Sequence, residues 1–135
     1  MSMTVPTPAD EAERQITILV VDDDLPFCRA VAELLADRGF YVLGCAGTAQ
    51  EALAECRRLG PDAVLLDVNL PDGHGVTLVE ALRAVSAPPR ILLTSSDPAA
   101  VSPEQLERSE ASGFIPKSQL ARTKLDRFFK GDSSA

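Results

Sequence analysis

The chain has 135 residues, 45% hydrophobic and 24% charged, a composition typical of one globular domain with a single core. It carries 20 acidic and 13 basic side chains, a net charge of -7, without the clustered Lys and Arg of nucleic-acid-binding surfaces, so we expect no direct nucleic-acid binding. Residues 1–14 lack a signal-peptide core, and no apolar run is long enough to span a bilayer, so we expect a soluble, cytoplasmic protein without a membrane partner.

Short apolar segments alternate along the chain with longer segments of helical spacing. The short segments are rich in Val, Ile and Leu, as in strands that are buried on both faces. They comprise residues 16–21, 40–45, 62–67, 90–94 and 113–116.

The longer segments carry helix start and stop signals. Two of them open with a capping box, TAQE at 48–51 and SPEQ at 102–105. The predicted helices begin near Phe27, Thr48, Val76, Ser102 and Ser118. The first four end near Gly39, Gly60, Pro88 and Gly113, where Gly or Pro stops a helix.

Five strands alternating with five helices predict an α/β fold, a (βα)5 chain with a doubly wound parallel sheet. The simplest strand order is 2-1-3-4-5, a flavodoxin-like three-layer sandwich. We expect one domain at residues 15–130, with a disordered tail at 1–14 and a polar tail at 131–135.

The three cysteines, Cys28, Cys45 and Cys56, are odd in number and lack Cys-x-x-Cys spacing. We therefore predict no disulfide framework and no zinc site. A reducing compartment is the expected setting. Cys56 shares the apolar spacing of its helix and is predicted to be a buried hydrophobe.

Polar side chains follow four of the predicted strands. The acidic run 22–24 ends the first strand, Asp67 ends the third, and Thr94 and Lys117 end the fourth and fifth. In the predicted order the first and third strands are neighbours at the point where the winding reverses, which is where such folds bind ligands. These side chains are therefore expected to meet in one crevice.

The acidic groups in this crevice predict a cation. Two like charges about 4 Å apart repel by roughly 4 kcal/mol at an effective dielectric constant of 20. Oxygen ligands alone favour a hard ion such as Mg2+, which takes one or two carboxylates and a phosphate oxygen. Asp24 is predicted to cap the first helix instead, because it directly precedes Leu25 and Pro26.

Four motifs appear in order: VVDDD, LLDVNLPDGHG, ILLTSS and GFIPK. In the order and spacing of these motifs, the chain resembles the response-regulator receiver domain of two-component signalling. This is a phospho-acceptor domain like the chemotaxis regulator. The resemblance covers about residues 15–130. It implies a signalling domain that catalyses only its own phosphorylation and dephosphorylation, not an enzyme acting on other substrates.

The resemblance implies a role for each matching residue. Asp67 would accept a phosphoryl group from a phosphohistidine. Mg2+ would be bound by Asp22, Asp23, Asp67 and the backbone carbonyl of Asn69.

The same resemblance implies a phosphoryl-binding and switch set. Lys117 and Thr94 would contact the phosphoryl oxygens, and Phe114 would be the aromatic switch residue. The partners would be a sensor histidine kinase or phosphotransfer protein and an unknown downstream protein, which would use the face of the fourth helix, fifth strand and fifth helix. We expect a stand-alone receiver.

Two positions depart from the family pattern, and two alternatives remain. Ser118 follows Lys117 where the family often has Pro, and Phe114 lacks the hydroxyl of a tyrosine switch. His74 is expected to be a solvated loop residue. The alternatives are a pseudo-receiver that binds partners without being phosphorylated, and a haloacid-dehalogenase-like phosphatase, whose motif resembles Asp22-x-Asp24.

Overall fold

The computed structural model describes residues 15–130. The predicted tails, 1–14 and 131–135, lie outside the described residues.

Five strands form one sheet in the order β2-β1-β3-β6-β7, and all four neighbouring pairs are parallel. This confirms the predicted order, with β6 and β7 as the fourth and fifth strands of the sheet. A separate two-stranded hairpin, β4-β5, follows β3. The strands are β1 (Thr17–Val21), β2 (Tyr41–Ala46), β3 (Ala63–Asp67), β4 (Asn69–Leu70), β5 (Gly73–His74), β6 (Arg90–Ser95) and β7 (Gly113–Pro116).

Helices connect the strands as predicted for a (βα)5 chain. Ser102 forms the predicted capping box with Gln105 at the start of the fourth helix. Gly60 ends the second helix with a left-handed backbone conformation, as glycine commonly does. The helices are α1 (Leu25–Asp37), α2 (Ala49–Leu59), α3 (Gly75–Arg83), α4 (Pro103–Ser109), a 3-10 helix (Lys117–Arg122) and α5 (Asp126–Lys130).

The core has two apolar layers, one on each face of the sheet. Along β1, Ile18 and Val20 face the layer that contains buried side chains of α1 and α5, whereas Leu19 and Val21 face the layer under α2 and α3. Successive strand residues point to opposite faces, so both faces of β1 are apolar and covered. The sheet is doubly wound, and its strand ends form the exposed rims.

Two elements differ from the prediction. The sequence predicts a single helix from Ser118, but the 3-10 helix ends at Arg122 and Thr123 has an extended backbone before α5 begins. Leu120 and Leu125 are both buried. Five residues apart, they would lie about 140° apart around a continuous α-helix, so the break lets both reach the core. The hairpin β4-β5 was not predicted because two-residue strands carry no periodicity.

The prediction that the cysteines are unpaired was wrong. Cys28 in α1 and Cys45 in β2 form a disulfide, whereas Cys56 is a free, buried cysteine as predicted. The pairing arises because α1 packs against β2, so residues 17 apart in the sequence become neighbours. In residues 15–130, no helix has the length and apolar character needed to span a bilayer.

Gly75, at the start of α3, packs directly against the end of β3. A Cβ atom there would lie 2.8 Å from the carbonyl oxygen of Asp67 and 2.8 Å from the Cα atom of Val68. Both contacts are with backbone, which cannot rotate away. At Gly73 a Cβ atom would meet only the Cβ atom of Ala49, at 3.9 Å.

We predict that Gly75→Ala lowers the free energy of unfolding by about 1–3 kcal/mol, because overpacking displaces the Asp67–Val68 backbone. The matched control, Gly73→Ala, should stay within about 0.5 kcal/mol of the wild type. Urea unfolding measures both. Equal stabilities of the two variants would contradict the close packing of α3 on β3.

Candidate functional site

Three carboxylates meet at one rim of the sheet. Asp22 follows β1 and is 1% exposed, Asp67 ends β3 and is 6% exposed, and Asp23 is exposed to solvent. One oxygen from each side chain can be chosen so that all three oxygens lie within 4.8 Å of one another. The cluster could therefore hold a metal ion.

The sheet register explains why these residues converge. Val21 pairs with Leu66, so the residues that follow in β1 and β3, Asp22 and Asp67, leave the sheet side by side. The Asp22 N–H donates to the carbonyl oxygen of Ala46 in β2 at 2.8 Å, which fixes its backbone. On the other side of β3, Asp67 pairs with Thr94 of β6. The predicted strand order thus brings these side chains together.

Lys117 supplies the opposing charge from the end of β7. Its Nζ atom lies 2.7 Å from Oδ2 of Asp22 and 3.6 Å from Oδ2 of Asp67. The lysine side chain is only 16% exposed, so these ion pairs are poorly screened by solvent. The structure therefore brings Lys117 to the acidic rim, as the sequence predicted.

Phe27 in α1 provides a further contact for this lysine. The Lys117 Nζ atom lies 4.2 Å from the centroid of the Phe27 ring, which is within the range of a cation–π interaction. From the sequence, Phe27 is predicted only as a residue near the start of the first helix. The sequence signal that could have indicated this contact is an aromatic residue at a helix start, close to the acids at a strand end.

Burial raises the pKa of Asp67. The Asn69 N–H, which donates to Oδ1 of Asp67 at 3.1 Å, acts in the opposite direction, as does Lys117. The neighbouring charge of Asp22 raises the pKa of Asp67 further, and the net direction is upward. A carboxylate at this position is therefore less stable than one in water.

The pKa of Lys117 also changes. Burial alone would lower the pKa of this lysine, but its contacts with Asp22 and Asp67 outweigh that effect and raise it. Lys117 therefore stays charged at neutral pH.

Thr94 is buried at the same rim, with its side chain engaged elsewhere. Its hydroxyl donates to the carbonyl oxygen of Ile115 in β7 at 2.7 Å. Phe114, beside Ile115, is partly buried and packs against the apolar layer under α2 and α3. Thr94 therefore links Asp67, its neighbour in the sheet, to β7.

Comparison with known proteins identifies the family of this chain. The model of the response regulator receiver domain family matches residues 18–127. The chain belongs to this family. It is 26% identical to the chemotaxis response regulator CheY4 of Vibrio cholerae, with a TM-score of 0.72 over 86% of this chain and 100% of that one. The response regulator domain of Thermotoga maritima CheB is 27% identical, with a TM-score of 0.67 over 84% and 87%.

Curated relatives of the receiver domain are longer proteins. The chain is 36% identical over 106 residues to a protein-glutamate methylesterase/protein-glutamine glutaminase of Idiomarina loihiensis, which covers 76% of this chain and 27% of that protein. It is 40% identical over 78 residues to the DNA-binding response regulator MtrA of Mycobacterium leprae, covering 58% and 34%. The receiver domain spans about a quarter to a half of the length of such relatives.

The loop after Asp67 is held by capping contacts. Asp72 accepts hydrogen bonds from the N–H groups of Ala49 and Gln50 at the start of α2, at 2.7 and 3.1 Å. These bonds lower the pKa of Asp72. His74, predicted to be a solvated loop residue, accepts from the Val76 N–H through Nδ1 at 3.2 Å and so caps α3.

Two contacts concern predictions made near the rim. Asp24 caps α1 as predicted, because its Oδ1 accepts from the Phe27 N–H at 3.1 Å. At the departure from the family pattern, the Lys117–Ser118 peptide is trans, and residues 15–130 contain no cis peptide bond. Ser118 does not cap the 3-10 helix, which has no side-chain cap.

The raised pKa of Asp67 makes the stability of the receiver domain depend on pH. Between the ordinary aspartate pKa and the higher folded-state pKa, the folded protein binds more protons than the unfolded chain. The free energy of unfolding therefore falls as the pH rises through this window. At neutral pH the buried charge on Asp67 destabilises the fold when no metal is bound.

We predict that Asp67→Asn raises the free energy of unfolding at neutral pH without divalent cations, by on the order of 1 kcal/mol. An asparagine oxygen can still accept from the Asn69 N–H while the charge is removed. The difference from the wild type should shrink as the pH falls toward about 3.9, where the carboxyl group is protonated.

Urea unfolding at several pH values, in buffer with a metal chelator, measures this difference. Asp37→Asn, at an exposed position at the end of α1, is the control and should show no comparable gain. A less stable Asp67→Asn protein at neutral pH, or a gain that does not vary with pH, would contradict the account.

Proposed function

We propose that this receiver domain is the phospho-acceptor of a two-component phosphorelay. Asp67 takes a phosphoryl group from a phosphohistidine of a sensor histidine kinase or a phosphotransfer protein. The observation that carries the proposal is the contact of Lys117 with the carboxylates of Asp22 and Asp67 at 2.7 and 3.6 Å. One cation faces two buried acids beside a third, and this leaves the rim negative and able to take a metal and a phosphoryl group.

We propose that Mg2+ is bound by Asp22, Asp23, Asp67 and the backbone carbonyl of Asn69. The donor set fits, because it offers only oxygen and the three carboxylate groups approach within 4.8 Å. When bound, Mg2+ supplies positive charge that offsets the phosphoryl and carboxylate oxygens. Asn69 directly follows Val68, whose N–H donates to the backbone carbonyl oxygen of Thr94. This hydrogen bond anchors the backbone next to Asn69.

The transfer step uses Asp67 as nucleophile. A carboxylate oxygen of Asp67 forms a bond to phosphorus while the P–N bond to the donor histidine breaks. The imidazole keeps the bonding electron pair and takes a proton from solvent. Lys117 offsets the phosphoryl charge, since its Nζ atom lies 3.6 Å from Oδ2 of Asp67. The product is an acyl phosphate, which hydrolyses readily and suits a transient signal.

We propose that Thr94 and Phe114 pass the modification to the partner-binding face. The Thr94 hydroxyl would turn from the carbonyl oxygen of Ile115 to donate to a phosphoryl oxygen. Loss of that bond would release the carbonyl oxygen of Ile115, and the neighbouring Phe114 would repack. The shift is between two existing states of the face formed by α4, β7 and the segment 117–130.

The partners proposed for this domain are proteins. The phosphoryl donor is a kinase or phosphotransfer protein. The downstream partner is an unidentified protein that binds the face formed by α4, β7 and the segment 117–130. We propose a cytoplasmic location, no direct contact with nucleic acid or membrane by residues 15–130, and no turnover of external substrates. A phosphatase of the haloacid-dehalogenase type is disfavoured because Asp24 is engaged as the cap of α1.

The test is phosphoryl uptake from a small acyl-phosphate donor. We predict that the wild type gains the mass of one phosphoryl group in the presence of Mg2+ and none in the presence of a chelator. Asp67→Asn should gain nothing, because amides do not form acyl phosphates. The exposed-carboxylate control, Asp37→Asn, should react like the wild type. Intact-mass spectrometry at timed intervals measures each.

Two results would contradict the proposal. A folded wild type that gains no phosphoryl group under these conditions would indicate a pseudo-receiver. An adduct that persists in Asp67→Asn would place the acceptor elsewhere.

A further inference from the structure

The disulfide between Cys28 and Cys45 lies outside the phospho-acceptor chemistry but next to its residues. It joins α1 to β2, with the two Cα atoms 6.5 Å apart, a spacing that ordinary disulfides have. Cys28 is 4% exposed, whereas Cys45 is exposed to solvent. The pair thus has one accessible sulfur and one protected sulfur.

Both sulfur atoms lie close to the backbone of Asp22, one of the acids at the rim. The Sγ atom of Cys28 is 3.4 Å from the carbonyl oxygen of Asp22, and that of Cys45 is 3.7 Å from the same oxygen. When reduced, each thiol is close enough to donate to this oxygen. The backbone of Asp22, whose side chain pairs with Lys117, therefore lies against the cysteine pair.

Small reactants can reach the pair. An open cavity of about 270 Å3 is lined by Cys28, Cys45, Leu25 and Arg29 among others. Cys56 is 4% exposed, like Cys28, and also lines a cavity, but burial and the neighbouring charge of Glu55 raise its pKa to about 11. At neutral pH Cys56 therefore remains an unreactive thiol. Within residues 15–130, Cys28 and Cys45 therefore form a bonded pair beside an open cavity, whereas Cys56 has no cysteine partner.

We propose that Cys28 and Cys45 form a reversible redox-modification site that reacts with hydroperoxides and sets the rigidity of the β1–α1 junction at the acidic rim. Formation and breakage of this bond do not depend on phosphoryl transfer. The redox-modification site can therefore be tested independently of the phospho-acceptor function.

The oxidation proceeds in two balanced steps. The Cys45 thiolate attacks one oxygen of the hydroperoxide, the O–O bond breaks, and the leaving hydroxide or alkoxide takes a proton, giving a sulfenic acid. The Cys28 thiolate then attacks the Cys45 sulfur, the S–O bond breaks, and the leaving hydroxide takes a proton from solvent to give water. The two sulfurs lose two electrons in total, and the peroxide gains them. A dithiol reductant reverses the reaction by thiol–disulfide exchange.

Oxidation should restrict the start of α1. The bridge closes a loop between residues 17 apart and ties the first turn of α1 to β2. The junction is held by three backbone N–H groups. Those of Asp24 and Phe27 donate to carboxylate oxygens, Oδ1 of Asp22 and Oδ1 of Asp24, and that of Cys28 donates to the backbone carbonyl oxygen of Asp24. Local opening breaks these bonds, and the bridge opposes that opening.

Thiol counting tests the chemistry. The protein is treated with hydrogen peroxide or with a dithiol, denatured, alkylated and weighed. We expect three alkylated cysteines after reduction and one, Cys56, after oxidation, with full recovery of three on re-reduction. The control Cys56→Ser should still form the bridge, and Cys45→Ser should not.

Hydrogen exchange tests the structural effect. We expect the amides of Asp24, Phe27 and Cys28 to exchange at least about fivefold more slowly in the oxidised wild type than in the reduced wild type. The comparison uses one sequence in two states, so it does not depend on whether a cysteine variant folds. In Cys45→Ser the same treatments should leave these rates equal.

Three results would overturn the inference. One is a wild type that keeps three alkylatable thiols after peroxide treatment. Another is oxidation of Cys45 to a sulfinic acid without bridging. The last is a bridge that forms without slowing exchange at the three amides. Failure of phosphoryl uptake would leave all of these measurements intact.

Discussion

The structure depends on how buried negative charge is held at one rim of the sheet. Asp22 and Asp67 are almost fully buried where parallel strands end, and Asp23 lies beside them. Lys117 offsets part of this charge, held between the two buried carboxylates and over the Phe27 ring. One lysine against three acids leaves the rim negative, and burial raises the pKa of Asp67. The same imbalance that destabilises the fold without metal is the reason we propose a divalent cation at this rim, and that cation would offset the charge of a phosphoryl group.

Much of the fold could be predicted because its signals are local. The apolar strands are buried on both faces, and Asp24 and Ser102 cap the helices that they were predicted to cap. The strand order followed from the alternation of strands and helices and from the simplest winding of a sheet. The chain after β7 was predicted wrongly, because helical spacing in the sequence does not show that Leu120 and Leu125 must both reach the core. The short hairpin after β3 depends on tertiary packing of the loop and carries no pattern of its own.

The rim was predictable because topology converts strand ends into neighbours. Once β1, β3, β6 and β7 are ordered, Asp22, Asp67, Thr94 and Lys117 must emerge at one edge. Contacts between helices and other elements were not predictable in this way. The pairing of Cys28 with Cys45 and the contact of Phe27 with Lys117 depend on how α1 rotates and packs, which sequence spacing does not specify. The capping box predicted at 48–51 forms only in part: Thr48 accepts from the Glu51 N–H, but the Glu51 side chain accepts from the Gly47 N–H instead of that of Thr48. Asp72, from a distant loop, is the acceptor for the N–H groups of Ala49 and Gln50.

The central claim is that the negative rim binds Mg2+, and the dependence of stability on Mg2+ tests it most directly. The measurement is the free energy of unfolding, with and without Mg2+, for the wild type, Asp23→Asn and Asp24→Asn. Asp24→Asn removes a charge one residue away while keeping a good helix cap, so it is the matched control. The account predicts that Mg2+ stabilises the wild type and Asp24→Asn, by about 2.7 kcal/mol at a hundredfold excess over Kd, and leaves Asp23→Asn nearly unchanged. An equal response in all three proteins, or none in the wild type, would contradict it.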